Sequence, residues 1–223
     1  MSDHIEQMRR LMESADGLVQ AQKTDWLPEL KPFLHKTEHF GIMLGNPIVH
    51  ELFPIPGYCN VRYRIMQDQC RDAWREGKWE TWVWLHERPY RTQSLWNLIQ
   101  GGKLGLEEAQ TGLLASSVWR DCENIPQTKY MWWDLFHTMD GDLWMEDEDR
   151  NILAELPEEF TVWRGVCEDL GYSWTLSEKT AEFFANRPLN EATGEVISRT
   201  VHKDEVFAYL GGRSEEEILI VDD

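Results

Sequence analysis

From residue 1 to about 150 the apolar side chains recur every three or four positions, whereas after about residue 157 they run in short β-branched and aromatic stretches. A period near 3.6 suits helices that bury one stripe, and short β-rich runs between turn formers suit strands. This single change predicts helices first and a small mixed sheet afterwards, an α+β fold with a helical region over 1–150 and a second region over 151–223. Tyr63, Met66, Cys70 and Trp74 share one helical face, as do Leu106, Ala109, Leu113 and Val118. Pro54-Ile-Pro56-Gly57, Gly101-Gly102, Asn124-Ile-Pro126 and Asp140-Gly141 mark helix boundaries, leaving roughly five to seven helices. The acidic run Glu146–Asp149 suits the first turn of a helix holding Ile152, Leu153 and Leu156, where negative charge meets the positive end of the helix dipole. Phe160–Trp163, Glu195–Val201, Val206–Leu210 and Glu217–Val221 read as strands, and Ser177 caps a helix running to Arg187. Gly211-Gly212-Arg213-Ser214 reads as a tight loop between the last two strands.

The formal charge of −18 divides into −8 over residues 1–150 (16 basic, 24 acidic) and −10 over 151–223 (6 basic, 16 acidic). Because nucleic-acid affinity rests on neutralising phosphates, this balance favours a protein or small-molecule partner. Cys59, Cys70, Cys122 and Cys167 lie far apart with no Cys-x-x-Cys pair, a pattern that makes neither a zinc site nor a dense disulfide framework, and they read as reduced, mostly buried thiols. A polar N-terminus and the lack of a run of some 20 apolar residues predict a cytoplasmic chain with no membrane partner. His35-Lys-Thr-Glu38-His39 has the spacing of an inverted zinc-peptidase motif, yet Lys31-Pro32 breaks a helix just before it. Those histidines read as surface residues on a helix, and no metal is expected. His86-Glu-Arg-Pro-Tyr-Arg91 offers charges for a substrate surface but no mechanism.

Three elements of the last third carry chemistry: Thr161-Val-Trp-Arg164-Gly165, Tyr172-Ser173-Trp-Thr175 and Glu215-Glu-Glu217-Ile-Leu-Ile. Each adjoins a strand-like run whose edge can present side chains to a cleft. A guanidinium such as that of Arg164 makes paired bonds to phosphate oxygens more rigidly than a lysine. A carboxylate where a loop enters an apolar strand, as at Glu217, can bind a sugar hydroxyl and stabilise positive charge developing on the ring. Ser173 and Thr175 alternate along an extended segment, so both point to the face that Trp174 leaves, and they can orient such a carboxylate.

In that order these elements resemble the Arg, Ser-Thr-Ser and Glu-x-Glu signature of the mono-ADP-ribosyltransferases of bacterial toxins and phages, over about residues 158–223. The resemblance implies an ADP-ribosyltransferase-like sheet, NAD as substrate, Glu217 as the catalytic carboxylate and Glu215 as the residue that steers the acceptor, commonly an arginine side chain. It places NAD on Arg164, Ser173 and Thr175. A second similarity, to poly(ADP-ribose) polymerases, implies that Gly165 and Thr180 bond the nicotinamide carboxamide and that Phe183, in Lys179-Thr-Ala-Glu-Phe183, stacks on its ring. Only eight residues separate Arg164 from Ser173, fewer than in the larger toxins, so helices of the N-terminal half are expected to close that side of the cleft. Bulky Trp174 in the middle element needs an apolar pocket on the other face of the sheet.

The expected activity is transfer of ADP-ribose to a macromolecular acceptor, protein rather than nucleic acid, with nicotinamide released. Two alternatives remain at this point: a catalytically silent module with the same fold that binds partners through its Trp-rich helices, and an NAD glycohydrolase in which water replaces the acceptor.

Overall fold

The computed structural model describes residues 6, 15–39, 41–122, 125–166, 171–186, 194–211 and 216–221. They form two compact units, Met1–Lys103 with Asp121–Ile125, and Leu104–Arg120 with Pro126–Asp223. The chain is α+β, and every strand pairing among the described residues is antiparallel.

The first unit holds α1 (Ala15–Lys23), α2 (Pro56–Arg75), α3 (Trp79–Trp84) and α4 (Arg91–Gln100), with a three-stranded sheet of β1 (Leu34–Thr37), β2 (Gly41–Asn46) and β3 (Val49–Glu51). Pro56 opens α2, where its fixed φ and missing N–H are harmless. Gly57 lets α2 close on α1, since a Cβ there would lie 2.7 Å from the Cα of Ala21. The sheet corrects the expectation of helices alone before residue 150. Its strands, three to six residues long, hold one β-branched residue each and no aromatic one, so their composition does not mark them as strands, and Gly41 turns β1 into β2 at a φ of +76°. His35 sits on β1 opposite Met43, and His39 lies in the turn that follows. The two histidines therefore share no helical face, which corrects their placement on a helix.

Leu30, Leu44, Val49 and Cys59 form one buried apolar cluster of this unit. Burial, aided by the negative charge of Glu51, pushes the Cys59 thiol up to about 11, and burial raises Cys70 to about 11. At pH 8 each then carries about a hundredfold less thiolate than an ordinary thiol. Iodoacetamide is expected to label Cys59 and Cys70 slowly in the native protein and rapidly after denaturation, and peptide mass spectrometry showing equal rates would contradict this.

The second unit contains most of α5 (Ala109–Asp121) and α6 (Ile125–Thr138), a 3-10 turn at Gly141–Trp144, and α7 (Asp147–Glu155), whose first turn carries Asp147, Glu148 and Asp149. Helix α5 begins at Ala109, and its buried residues include Thr111, Leu114, Ala115, Val118 and Trp119, a face centred nearly opposite Ala109 and Leu113. Small and polar residues interrupt the apolar ones on that face: Thr111, Ser116 and Gly112 are buried there, and Gly112 packs against the backbone of Leu143 with no room for a Cβ. Trp119, Trp132, Phe136, Trp144, Tyr172 and Phe207 build one aromatic cluster with neighbouring centroids 4.9–6.5 Å apart. Edge-to-face pairs of this kind contribute about 0.5–1.5 kcal/mol each beyond their burial. Trp residues thus supply much of the interior of this unit.

Its sheet runs β6-β4-β5-β8-β7, with β4 (Glu159–Val166), β5 (Ser173–Thr175), β6 (Glu195–His202), β7 (Val206–Leu210) and β8 (Glu217–Ile220). The expected mixed sheet is wholly antiparallel for a topological reason. Helix α8 (Glu178–Ala185) carries the chain from β5 across to the far edge of β4, so the strands it joins, β5 and β6, run the same way but are separated by the antiparallel β4.

Candidate active site

Strand β8 is buried along its whole length, and it opens on a carboxylate: Glu217 is only 9% exposed. The chain enters it through Glu216, whose φ of +46° lies in the left-handed region. The Glu216 carbonyl accepts a hydrogen bond from the backbone N–H of Leu176 at 3.2 Å, which ties the entry of β8 to the end of β5. A non-glycine residue held there is strained by about 1–2 kcal/mol. Glu216→Gly is accordingly expected to leave thermal stability unchanged or slightly higher, whereas Glu216→Val should lower it by about 1–2 kcal/mol, because a β-branched side chain fits that region worse. Calorimetry of both variants checks this, and equal melting temperatures would contradict it.

Register decides what shares a face with Glu217. Thr175 is its cross-strand partner on β5, Ser173 pairs with Leu219, and Trp163 on β4 pairs with Thr175. Alternation along the strands therefore sets Gly165, Ser173, Thr175 and Glu217 on one side and Arg164 and Trp174 on the other. The Arg199 guanidinium covers the Trp174 ring, its Cζ 4.9 Å from the ring centroid, and Trp174 is 6% exposed, so this indole has its pocket on the far face. Arg164 is held at the rim of the β4–β5 hairpin by donating from Nη1 to the Gly171 carbonyl.

Helix α8 crosses the Glu217 side. Its direction is set by two hydroxyls: Thr175 Oγ1 accepts from the Ser177 N–H at 3.1 Å, and Ser177 Oγ caps the helix by accepting from the Thr180 N–H at 3.2 Å. Ala181 and Ala185 face the sheet, and Gly165 lies so close beneath them that a Cβ would overlap the Ala181 carbonyl oxygen and the Ala185 amide nitrogen.

Between sheet and helix lies a cleft of about 160 Å³ lined by Trp163, Arg164, Gly165, Ser173, Trp174, Thr175, Ala181, Phe184 and Glu217. Five residues that the sequence singled out, Arg164, Gly165, Ser173, Thr175 and Glu217, meet there. Thr180 and Phe183 do not line it. Phe183 is 62% exposed, because on a helix whose residues 181 and 185 face inward, position 183 points away and position 184 turns back toward the sheet. Glu215 lies outside the described residues, as do Cys167 and Gly212–Ser214.

The residue that no motif marked is Trp119. Its indole N–H donates to Glu217 Oε1 at 2.9 Å in a buried contact spanning 98 positions of sequence. The abundance of Trp was visible in the sequence, but nothing there aimed one of them at the carboxylate. On the neighbouring strand, burial raises the Tyr209 hydroxyl above its ordinary range, and the negative charges of Glu216, Asp149 and Glu148 raise it further. The carboxylates of Glu216, Asp149 and Glu148 thus lie near enough to act on this hydroxyl. No helix among the described residues is long and apolar enough to cross a membrane. In comparisons with known proteins, no protein-family model, no curated protein and no solved structure matches this chain.

Proposed function

We propose that this chain is a cytoplasmic, NAD-dependent mono-ADP-ribosyltransferase on an ADP-ribosyltransferase-like fold, which transfers ADP-ribose to a macromolecular acceptor, protein arginine above others, and releases nicotinamide. One observation carries this reading: a buried carboxylate, two strand hydroxyls and a glycine, drawn from three strands, share one face of the sheet and line one cleft, which Arg164 also borders. The resemblance of the Arg164, Ser173-x-Thr175 and Glu217 elements to the transferase signature concerns the same residues.

The reaction breaks the bond between the ribose anomeric carbon and the nicotinamide nitrogen. The bonding pair leaves with the ring and neutralises its positive charge, so the sugar becomes oxocarbenium-like. An acceptor nitrogen then bonds the anomeric carbon and gives up a proton. Glu217 stabilises the cationic sugar and accepts from a ribose hydroxyl, an interaction strongest in the transition state and strengthened by its burial. Ser173 and Thr175 line the wall beside it and Gly165 offers backbone groups; Arg164, whose side chain leaves the other face of β4, would pair with pyrophosphate oxygens by releasing the Gly171 carbonyl and turning round the rim. Phe184 supplies the aromatic surface for the departing ring. The chain's formal charge of −18, with the carboxylates of Glu216, Asp149 and Glu148 near Tyr209, supports a cationic acceptor such as arginine over a polyanion.

Incubation of the protein with NAD labelled in its adenylate part and a cell lysate tests this, following nicotinamide release and label fixed on macromolecules. Fixed label that resists nuclease and yields to protease is expected. Nicotinamide release without fixed label would turn the conclusion to a glycohydrolase, and neither signal would turn it to a partner-binding module.

A further inference from the structure

We infer that Trp119 is a positioning residue for the reaction, holding the Glu217 carboxylate in its working orientation; this rests on the transferase reading of Glu217. An indole N–H can only donate, so Trp119 can hold a carboxylate oxygen but cannot exchange a proton with it. Trp119 is 3% exposed and Glu217 9%, and a hydrogen bond to an ionised acceptor at such a site is among the stronger ones a side chain makes. The direction of the donor is fixed by packing. Trp132 meets the Trp119 ring edge-on at 5.1 Å, Phe136 at 5.3 Å, and Tyr172, two residues before Trp174, lies at 6.5 Å. The cluster does not satisfy every indole in it: the ring nitrogens of Trp132 and Trp144 are buried with no hydrogen-bond partner among the described residues. The pairing of Trp119 with Glu217 is therefore a particular arrangement within the cluster. It also makes helix α5, far upstream of the motif residues, part of the machinery around β8.

Trp132 provides the control. Trp119→Phe and Trp132→Phe remove the same volume from the same cluster, but only the first removes a donor to Glu217. Steady-state nicotinamide release is expected to show kcat lowered about tenfold in Trp119→Phe, with KM for NAD within about twofold of wild type. Trp132→Phe should keep kcat within about twofold. Equal losses in both variants, or no loss in Trp119→Phe while Glu217→Gln is inactive, would overturn the inference and leave the role of Glu217 standing. Turnover in Glu217→Gln equal to wild type, or none in wild type, would remove the role of Glu217 and the inference with it. A readout that needs no turnover is the indole N–H resonance of Trp119 in 15N-Trp-labelled protein, assigned by its disappearance in Trp119→Phe. That resonance is expected to shift in Glu217→Gln, and an unmoved signal would overturn the contact itself.

Discussion

Glu217→Gln is expected to slow nicotinamide release from NAD by a hundredfold or more while leaving the dissociation constant for NAD within about twofold of wild type. The substitution is close to isosteric, and the amide oxygen can still accept the Trp119 indole N–H, so the local packing should persist and the melting temperature should hold. What is lost is the negative charge, which faces little positive charge on the sugar in bound NAD and much more at the transition state. An interaction that strengthens along the reaction shows in kcat rather than in binding. Turnover by stopped assay and affinity by calorimetry on the same preparations separate the two. Unchanged turnover would remove Glu217 from the chemistry, and a large loss of NAD affinity with kcat intact would make it a binding residue instead.

The second half of the fold was legible because its signals are local. β4, β6, β7 and β8 announce themselves through Val162, Val196, Ile197, Val206 and Ile218–Ile220, and Ser177 caps α8 where its sequence predicts. Pairing was less legible, since no short-range pattern records that α8 crosses over β4 and so makes the sheet antiparallel throughout. β1–β3 escaped notice because Leu34–Thr37, Gly41–Asn46 and Val49–Glu51 hold no aromatic and one β-branched residue each, so they lack the texture that marks β7 and β8.

The cleft followed the same division. Arg164, Gly165, Ser173, Thr175 and Glu217 were found by their order along the chain, and register sets all of them but Arg164 on one face of the sheet. Phe184 in place of Phe183 turns on a single 100° step of a helix, finer than a motif resolves. Trp119 lies 98 positions from Glu217, and only three-dimensional packing pairs them. Position along the chain thus marked the carboxylate but not the side chain that holds it.

Gly165→Ala should lower stability by about 3 kcal/mol, at the upper end for overpacking, because the added methyl meets backbone rather than a side chain that can swing aside. The Ala185 Cα lies 3.0 Å from where that methyl would sit, so α8 must lift from β4 or tilt. For a protein of this size that corresponds to a fall in melting temperature of about 6–12 °C. The experiment also separates two reasons for a glycine here. If Gly165 matters only because its backbone bonds the nicotinamide carboxamide, alanine keeps that backbone, and stability without NAD should not change. If it matters because α8 packs directly on β4, the loss appears with no ligand present. Reduced NAD affinity would then follow, since the displaced helix carries Phe184 and Ala181 out of the cleft. Unchanged melting of ligand-free Gly165→Ala would refute the close helix-on-strand contact, and with it the account of why this position tolerates no side chain.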